Sequence, residues 1–156
     1  MQKVQRAITV WVDADACPVP IRDIILRAAK KRSIRTIFVA NKPIALPESE
    51  SIGFVLVQNG PDEADAYIAE NASAGDLVVT QDIPLAAQLV PRGATVISPR
   101  GDSFNAQNIS DRLSTRDLLY ELRSIGEITG GPAPFDDKLK RKFASLFDAA
   151  LYKLSL

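Results

Sequence analysis

The chain has 156 residues, 46% of them hydrophobic and 24% charged, the length and balance of one globular domain and not of a disordered segment. Lys plus Arg and Asp plus Glu number 19 each, so a strong non-specific grip on nucleic acid spread over the whole surface is excluded, although a local basic patch is not. There is no histidine and only one cysteine, which excludes histidine general-base catalysis, Ser-His-Asp and Cys-His chemistry, His-ligated metals, an intramolecular disulfide and a Cys-rich zinc site.

Taken in chain order, Ile8 to Asp13 reads as a strand, and Pro18 to Lys31 as a helix opened by Pro, with Ile21, Ile24, Ile25 and Ala28 at helical spacing. Arg35 to Ala40 is a second strand, Asn41 to Ser51 a loop and Gly53 to Val57 a third strand. Pro61 to Ala72 is a helix whose first turn is acidic, as the helix dipole favours. Asp76 to Thr80 is a fourth strand, Ile83 to Leu89 a short helix and Ala94 to Ser98 a fifth strand. Short β-branched runs alternating with helices predict βαβ units and a mostly parallel sheet of about five strands covered on both faces, a three-layer α/β/α domain. After Ser98 the pattern changes. Pro99 to Gln107 reads as a loop, Ile109 to Ile125 as an amphipathic helix, GEITGGPAPFDD as a Gly/Pro loop and Asp137 to Tyr152 as a last helix. The expectation is one domain over 1–156, with an α/β core at 1–98 and a helical extension at 99–156 packed on it. No apolar run approaches the ~20 residues of a membrane span and no signal peptide is evident, so the expected setting is cytoplasmic, away from membranes.

In open α/β sheets ligands bind beyond the carboxyl ends of the strands. Four acidic features fall there: Asp13 and Asp15 in VWVDADACPVP, Asp62 and Asp65 in NGPDEAD, and Asp82 in TQD. Asp13 and Asp15 share a face if the strand persists that far. Asp62 and Asp65, three apart, share a helix face, and Asp65 lines up with Ile68 and Ala69 toward the sheet. Crowded carboxylates repel one another, and Mg²⁺ or Mn²⁺, which prefer oxygen ligands, would relieve that repulsion. Such a site activates water and neutralises charge on a phosphodiester. Each aspartate has a plainer reading too. Asp62 suits a first helical turn, and Asp82 suits the cap of the helix that starts at Ile83. The D-x-D pair also admits a phosphatase with Asp13 as nucleophile and Thr80 as hydroxyl, although no Lys followed by an acidic pair stands at a strand end.

Other residues are candidates of lower specificity. Asn41 and Lys42 follow the second strand, and Arg100 the fifth, at the acidic edge; each could touch a substrate phosphate or simply line a loop. Arg112, Arg116 and Arg123 form a helical stripe able to clamp a phosphate backbone, with a solvated mixed-charge face as the plainer reading. Cys17, near the start of the first helix, has either a lowered thiol pKa or, the better expectation, a packing role. Trp11 is expected in the core.

VDADACPVP, NGPDEADAYIAE, GDLVVTQDIPLAAQLV and the tail running from Arg116 through TGGPAPF together resemble the YaiI/YqxD family of uncharacterised bacterial proteins, and the likeness spans nearly the whole chain. The resemblance implies a PIN-like fold, and with it a metal-dependent nuclease acting on RNA or DNA. On this likeness Asp13 is the aspartate after the first strand, Asp65 (or Asp62) the helix acid and Asp82 the acid after the fourth strand. Asp13 and Asp82 would bind metal, Asp65 would bind metal or orient water, and Asp15 would be a ligand or support one. Thr129, Gly130 and Gly131 belong to a hallmark loop whose N–H groups would line the site. The alternatives are a non-catalytic nucleic-acid or protein-binding module and the phosphatase.

Overall fold

The computed structural model describes residues 7–60, 62–129 and 134–154. Six strands form one sheet: β1 (Thr9–Asp13), β2 (Arg35–Ala40), β3 (Ile52–Leu56), β4 (Leu77–Val79), β5 (Thr95–Ile97) and β6 (Ser103–Phe104). Among the described residues five α-helices accompany them: α1 (Val19–Arg32), α2 (Glu63–Asn71), α3 (Ile83–Leu89), α4 (Ile109–Ser124) and α5 (Asp137–Leu154). The strand order is β3-β2-β1-β4-β5-β6. All neighbours are parallel except β5 and β6, which are antiparallel. The fold is α/β with a mostly parallel sheet, as the alternation predicts.

Strand alternation sorts the core into two halves. Val10 and Val12 of β1, with Phe38, Leu77, Val79 and Ile97, point to the side covered by α1 and α5. Trp11, with Val39, Val78 and Val96, points to the side covered by α2 and α3. The register Val12↔Phe38 and Val12↔Val79 keeps each row in line across the sheet. Trp11 lies in the core as expected. It meets Tyr67 edge to face at 6.2 Å, and its indole N–H donates to Asp76 Oδ2 at 3.1 Å.

Four features differ from the sequence reading. A sixth strand, β6, lies within the expected loop Pro99 to Gln107. It has two residues, too few to carry a periodic signal. Gly101, at φ +86°, makes the turn before it, and a Cβ there would lie 2.7 Å from Lys142 Cγ. The last helix, α5, is a full layer: Phe143, Phe147 and Leu151 are buried in the first core half. By contrast α4 rests on α3 and buries none of its residues, so its leucines do not form the apolar seat that its pattern suggests. The helix expected from Pro61 begins at Glu63, and Pro61 itself lies outside the described residues.

Candidate active site

The strand order reverses direction at β1 and β4: β1 leads outward to β2 and β3 on one side, and β4 leads to β5 on the other. Loops leaving the carboxyl ends of β1 and β4 therefore part there and leave a crevice. Asp13 closes β1, and Asp82 stands three residues beyond Val79 of β4. The sheet brings together what the sequence keeps apart. Asp13, Asp15, Asn41, Asp65 and Asp82 line one cavity of about 360 Å³ at this edge, with Gly60 and Gln81.

Thr80 ties the two strand ends. Its hydroxyl donates to Asp13 Oδ2 at 3.0 Å and accepts from the backbone N–H of Asp82, also at 3.0 Å. Both Thr80 and Asp13 are buried. Burial pushes the Asp13 carboxyl up to about 6; the Thr80 hydroxyl opposes this, while Asp15 and Asp82 add to it. Asp82 serves the role of a cap as well: its Oδ1 accepts from Leu85 N–H at 2.7 Å and opens α3. The capping reading and the site reading hold for the same residue, because one oxygen caps and the carboxylate still faces the cavity.

Asp65 sits on the half-buried flank of α2, in register with buried Ile68 and Ala69. Its carboxyl is pushed up to about 8, first by desolvation, then by a hydrogen bond to the Asp82 carboxyl and by the charges of Asp82, Asp13 and Asp62. Asp62 precedes α2 and reaches a neighbouring cavity of about 470 Å³, which also takes Asp65 and Asp82 into its wall. Among the described residues no three acidic or cysteine side chains stand in ready-made metal-ligating geometry.

Asp15 departs from its expected geometry. The chain leaves β1 in a turn of 3₁₀ helix over Ala14–Ala16, so Asp13 and Asp15 do not share a strand face. Asp13 is buried and Asp15 exposed. Both oxygens of Asp15 accept from the backbone N–H of Asn41, at 3.1 and 3.0 Å, which pins the β1 and β2 ends together. Asn41 enters the site through this backbone contact. Lys42 is exposed beside it and does not line the acidic cavity.

Cys17 is buried, and desolvation pushes its thiol up to about 12, so it is a packing residue and not a reactive thiolate. Arg100 stands in the turn between β5 and β6 and lines neither acidic cavity. The arginine stripe splits. Arg116 lines the second cavity, while Arg112 lies 3.8 Å from Asp102 and 5.9 Å from the Phe104 ring centroid. Arg123, lower on the same helix, is exposed. Thr129 is exposed; Gly130 and Gly131 lie outside the described residues.

Sequence reasoning missed Gln81, Gly60, Glu70 and Gln88. Gln81 donates to Ala16 C=O at 3.0 Å and bridges the β4 and β1 loops. Glu70 and Gln88 were legible in principle, since α2 repeats Asp62, Asp65, Ala66, Ala69, Glu70 along one face and α3 repeats Asp82, Leu85, Gln88 along another.

The sequence profile of the "Uncharacterized BCR, YaiI/YqxD family" matches residues 11–153. A "UPF0178 protein" of Psychromonas ingrahamii is 48% identical over 146 residues, 94% of this chain and 97% of that one. Another from Myxococcus xanthus is 49% identical over 145 residues, 93% of this chain and 95% of its own. Among solved structures, that of Rae1 (YacP) from Bacillus subtilis, a point mutant, aligns over 90% of this chain and 99% of that one, with 17% identity and a TM-score of 0.37. The family assignment rests on the sequence alone, and on that ground the chain belongs to the YaiI/YqxD family.

Proposed function

We propose that this protein hydrolyses phosphodiester bonds of RNA or DNA with the help of Mg²⁺ or Mn²⁺ held at the carboxyl edge of the sheet. The observation that carries the reading is the convergence of Asp13, Asp65 and Asp82, from three separate stretches of chain, on one cavity. The family resemblance, with its expectation of a PIN-like nuclease, supports it as analogy.

The donor set suits a hard cation. The charged groups lining the cavity are all carboxylates, with the Asn41 and Gln81 amides beside them, and no histidine or thiol lines it. Asp13 and Asp65 are both held above the usual carboxylate range by burial and by their acidic neighbours, which is the strain that a cation removes. Asp13 and Asp82 are the proposed metal residues, with Asp65 joining them once it gives up its hydrogen bond to Asp82. When bound, the metal supplies charge neutralisation on the scissile phosphate and a lowered pKa for an attacking water. The chain supplies the rest. Thr80 fixes the Asp13 carboxylate, the α3 cap fixes Asp82, and Asp65 orients water from the facing helix. Asp15 holds the Asn41 backbone and so shapes the rim.

The test has two parts. Melting is followed in EDTA, Mg²⁺ and Mn²⁺, and single-stranded and duplex RNA and DNA are offered for cleavage under the same conditions. The expected result is a metal-dependent rise in Tm and metal-dependent cleavage, both lost in Asp13→Asn with the native circular dichroism retained. Unchanged melting with either ion, in the presence and absence of oligonucleotide, overturns the reading. So does cleavage that survives both EDTA and Asp13→Asn.

A further inference from the structure

A second cavity, of about 470 Å³, opens beside the acidic one and shares Asp65 and Asp82 with it as a common wall. Its volume is within the roughly 300–1,000 Å³ of small-molecule sites. Its construction is unlike that of its neighbour. Its apolar lining comes from Ala66 and Ala69 of α2 with Pro84 and Leu85 of α3. Its polar lining adds Glu70 from the far end of α2, Gln88 from the end of α3, and Arg116 from α4. Arg116 is steadied there by Asp117 at 3.0 Å and by the Tyr120 ring at 5.7 Å.

We propose that this cavity is a nucleobase subsite, which receives the base next to the phosphodiester bond lying at the acidic edge and favours a base that carries an exocyclic amino group. The inference rests on the nuclease reading for the placement of the phosphate, and adds a substrate class to it: single strands, since a base reaches such a cavity only when splayed from its neighbours. The apolar part of the lining takes the flat face of a base. A carboxylate such as that of Glu70 accepts from the amino group of cytosine, and a glutamine amide pairs with the amino edge of adenine. The carbonyl that uracil presents at the same position faces the Glu70 carboxylate unfavourably. Arg116, planar and always charged, stacks on the base or meets the adjoining phosphate, and among the described residues of this lining it stands as one cation against four carboxylates.

The experiment compares fluorescently labelled oligocytidylate with oligouridylate, which differ at this edge by the amino group. Binding is measured with Asp13→Asn protein in Mn²⁺, so that the probe stays intact, and cleavage of the same probes is measured with wild type. We expect oligocytidylate to bind about tenfold tighter, the discrimination of one good base contact. Glu70→Gln should erase the preference. Ala66→Phe, at an exposed position of α2 where added bulk fills the cavity without disturbing the core, should weaken both probes. Equal binding of the two probes, unchanged in both variants, overturns the subsite; if wild type still cleaves them in Mn²⁺, the nuclease reading stands without it. If cytidylate-selective binding appears and is lost in both variants while no condition gives cleavage, the subsite stands and hydrolysis falls.

Discussion

Thr80 is the residue on which the site turns. It is fully buried, yet its one hydroxyl serves two groups, the Asp13 carboxylate and the Asp82 N–H. Val in its place keeps the shape and removes both contacts. Thr80→Val therefore leaves a buried carboxyl without its donor and a backbone N–H without its acceptor, at a cost of about 1–3 kcal/mol in urea denaturation. The Asp13 pKa rises further, because the lost hydrogen bond is the contact that opposes its burial. Thr80→Ser, which keeps the hydroxyl, should restore most of that stability; a Ser variant as weak as Val would show that the hydroxyl contacts alone do not hold this site and that the methyl is needed as well. The contrast between Asp13 and Asp15 belongs to the same scale. Both aspartates were visible in the sequence as an alternate pair, but the turn that separates their surroundings was not. A 3₁₀ turn over Ala14–Ala16 has no periodic signature in three residues.

At the scale of elements, α3 has seven residues and depends on its ends. Pro84 sits in its first turn, and the Asp82 carboxylate accepts from Leu85 N–H. Two substitutions separate the cap from the charge. Asp82→Ala removes both and should cost about 1 kcal/mol, the usual worth of a cap. Asp82→Asn keeps an oxygen for Leu85 and removes only the charge, so in EDTA at neutral pH its Tm should stay nearer to that of wild type than Asp82→Ala does. A loss in Asp82→Asn as large as in Asp82→Ala would mean that the charge itself holds α3. The elements most legible in the sequence were those with strong periodicity. The run RTIFVA coincides with β2 from end to end, and Ile83–Leu89 with α3. The parallel sheet followed from the βα alternation, which sterics tie to a covered sheet. Where tertiary packing decides, the pattern misled or fell silent. The leucine spacing of α4 reads as a buried face, but the helix rests on α3 and leaves Leu118 and Ile125 exposed.

For the molecule as a whole, the acidic edge sets how stability varies with pH. Asp13 and Asp65 are raised from 3.8 to about 6 and about 8, in each case chiefly by burial. In the unfolded chain both titrate near the ordinary aspartate value. The folded protein therefore binds more protons than the unfolded chain between roughly pH 4 and pH 8, and stability falls as pH rises across that window. Relative to the fully ionised protein, the extra stability is complete below the unfolded value and is lost as pH passes through about 6 and then about 8. Because Asp13 and Asp65 are raised in part by the same acidic neighbours, these steps belong to the cluster and not to single residues. The Tm in EDTA should decline from pH 5 to pH 8.5, and Asp65→Asn should flatten the upper part of the curve, since an amide stays neutral there. Mn²⁺ acts in the opposite direction. A cation that favours the ionised carboxylates stabilises the protein most where protons have left, so its effect on Tm should grow with pH and bring proton release on binding. A Mn²⁺ effect independent of pH would place the ion away from this edge. An EDTA curve that is flat from pH 5 to pH 8.5 would mean that Asp13 and Asp65 are ionised throughout, and that the crowding inferred here is relieved by solvent instead of by a ligand.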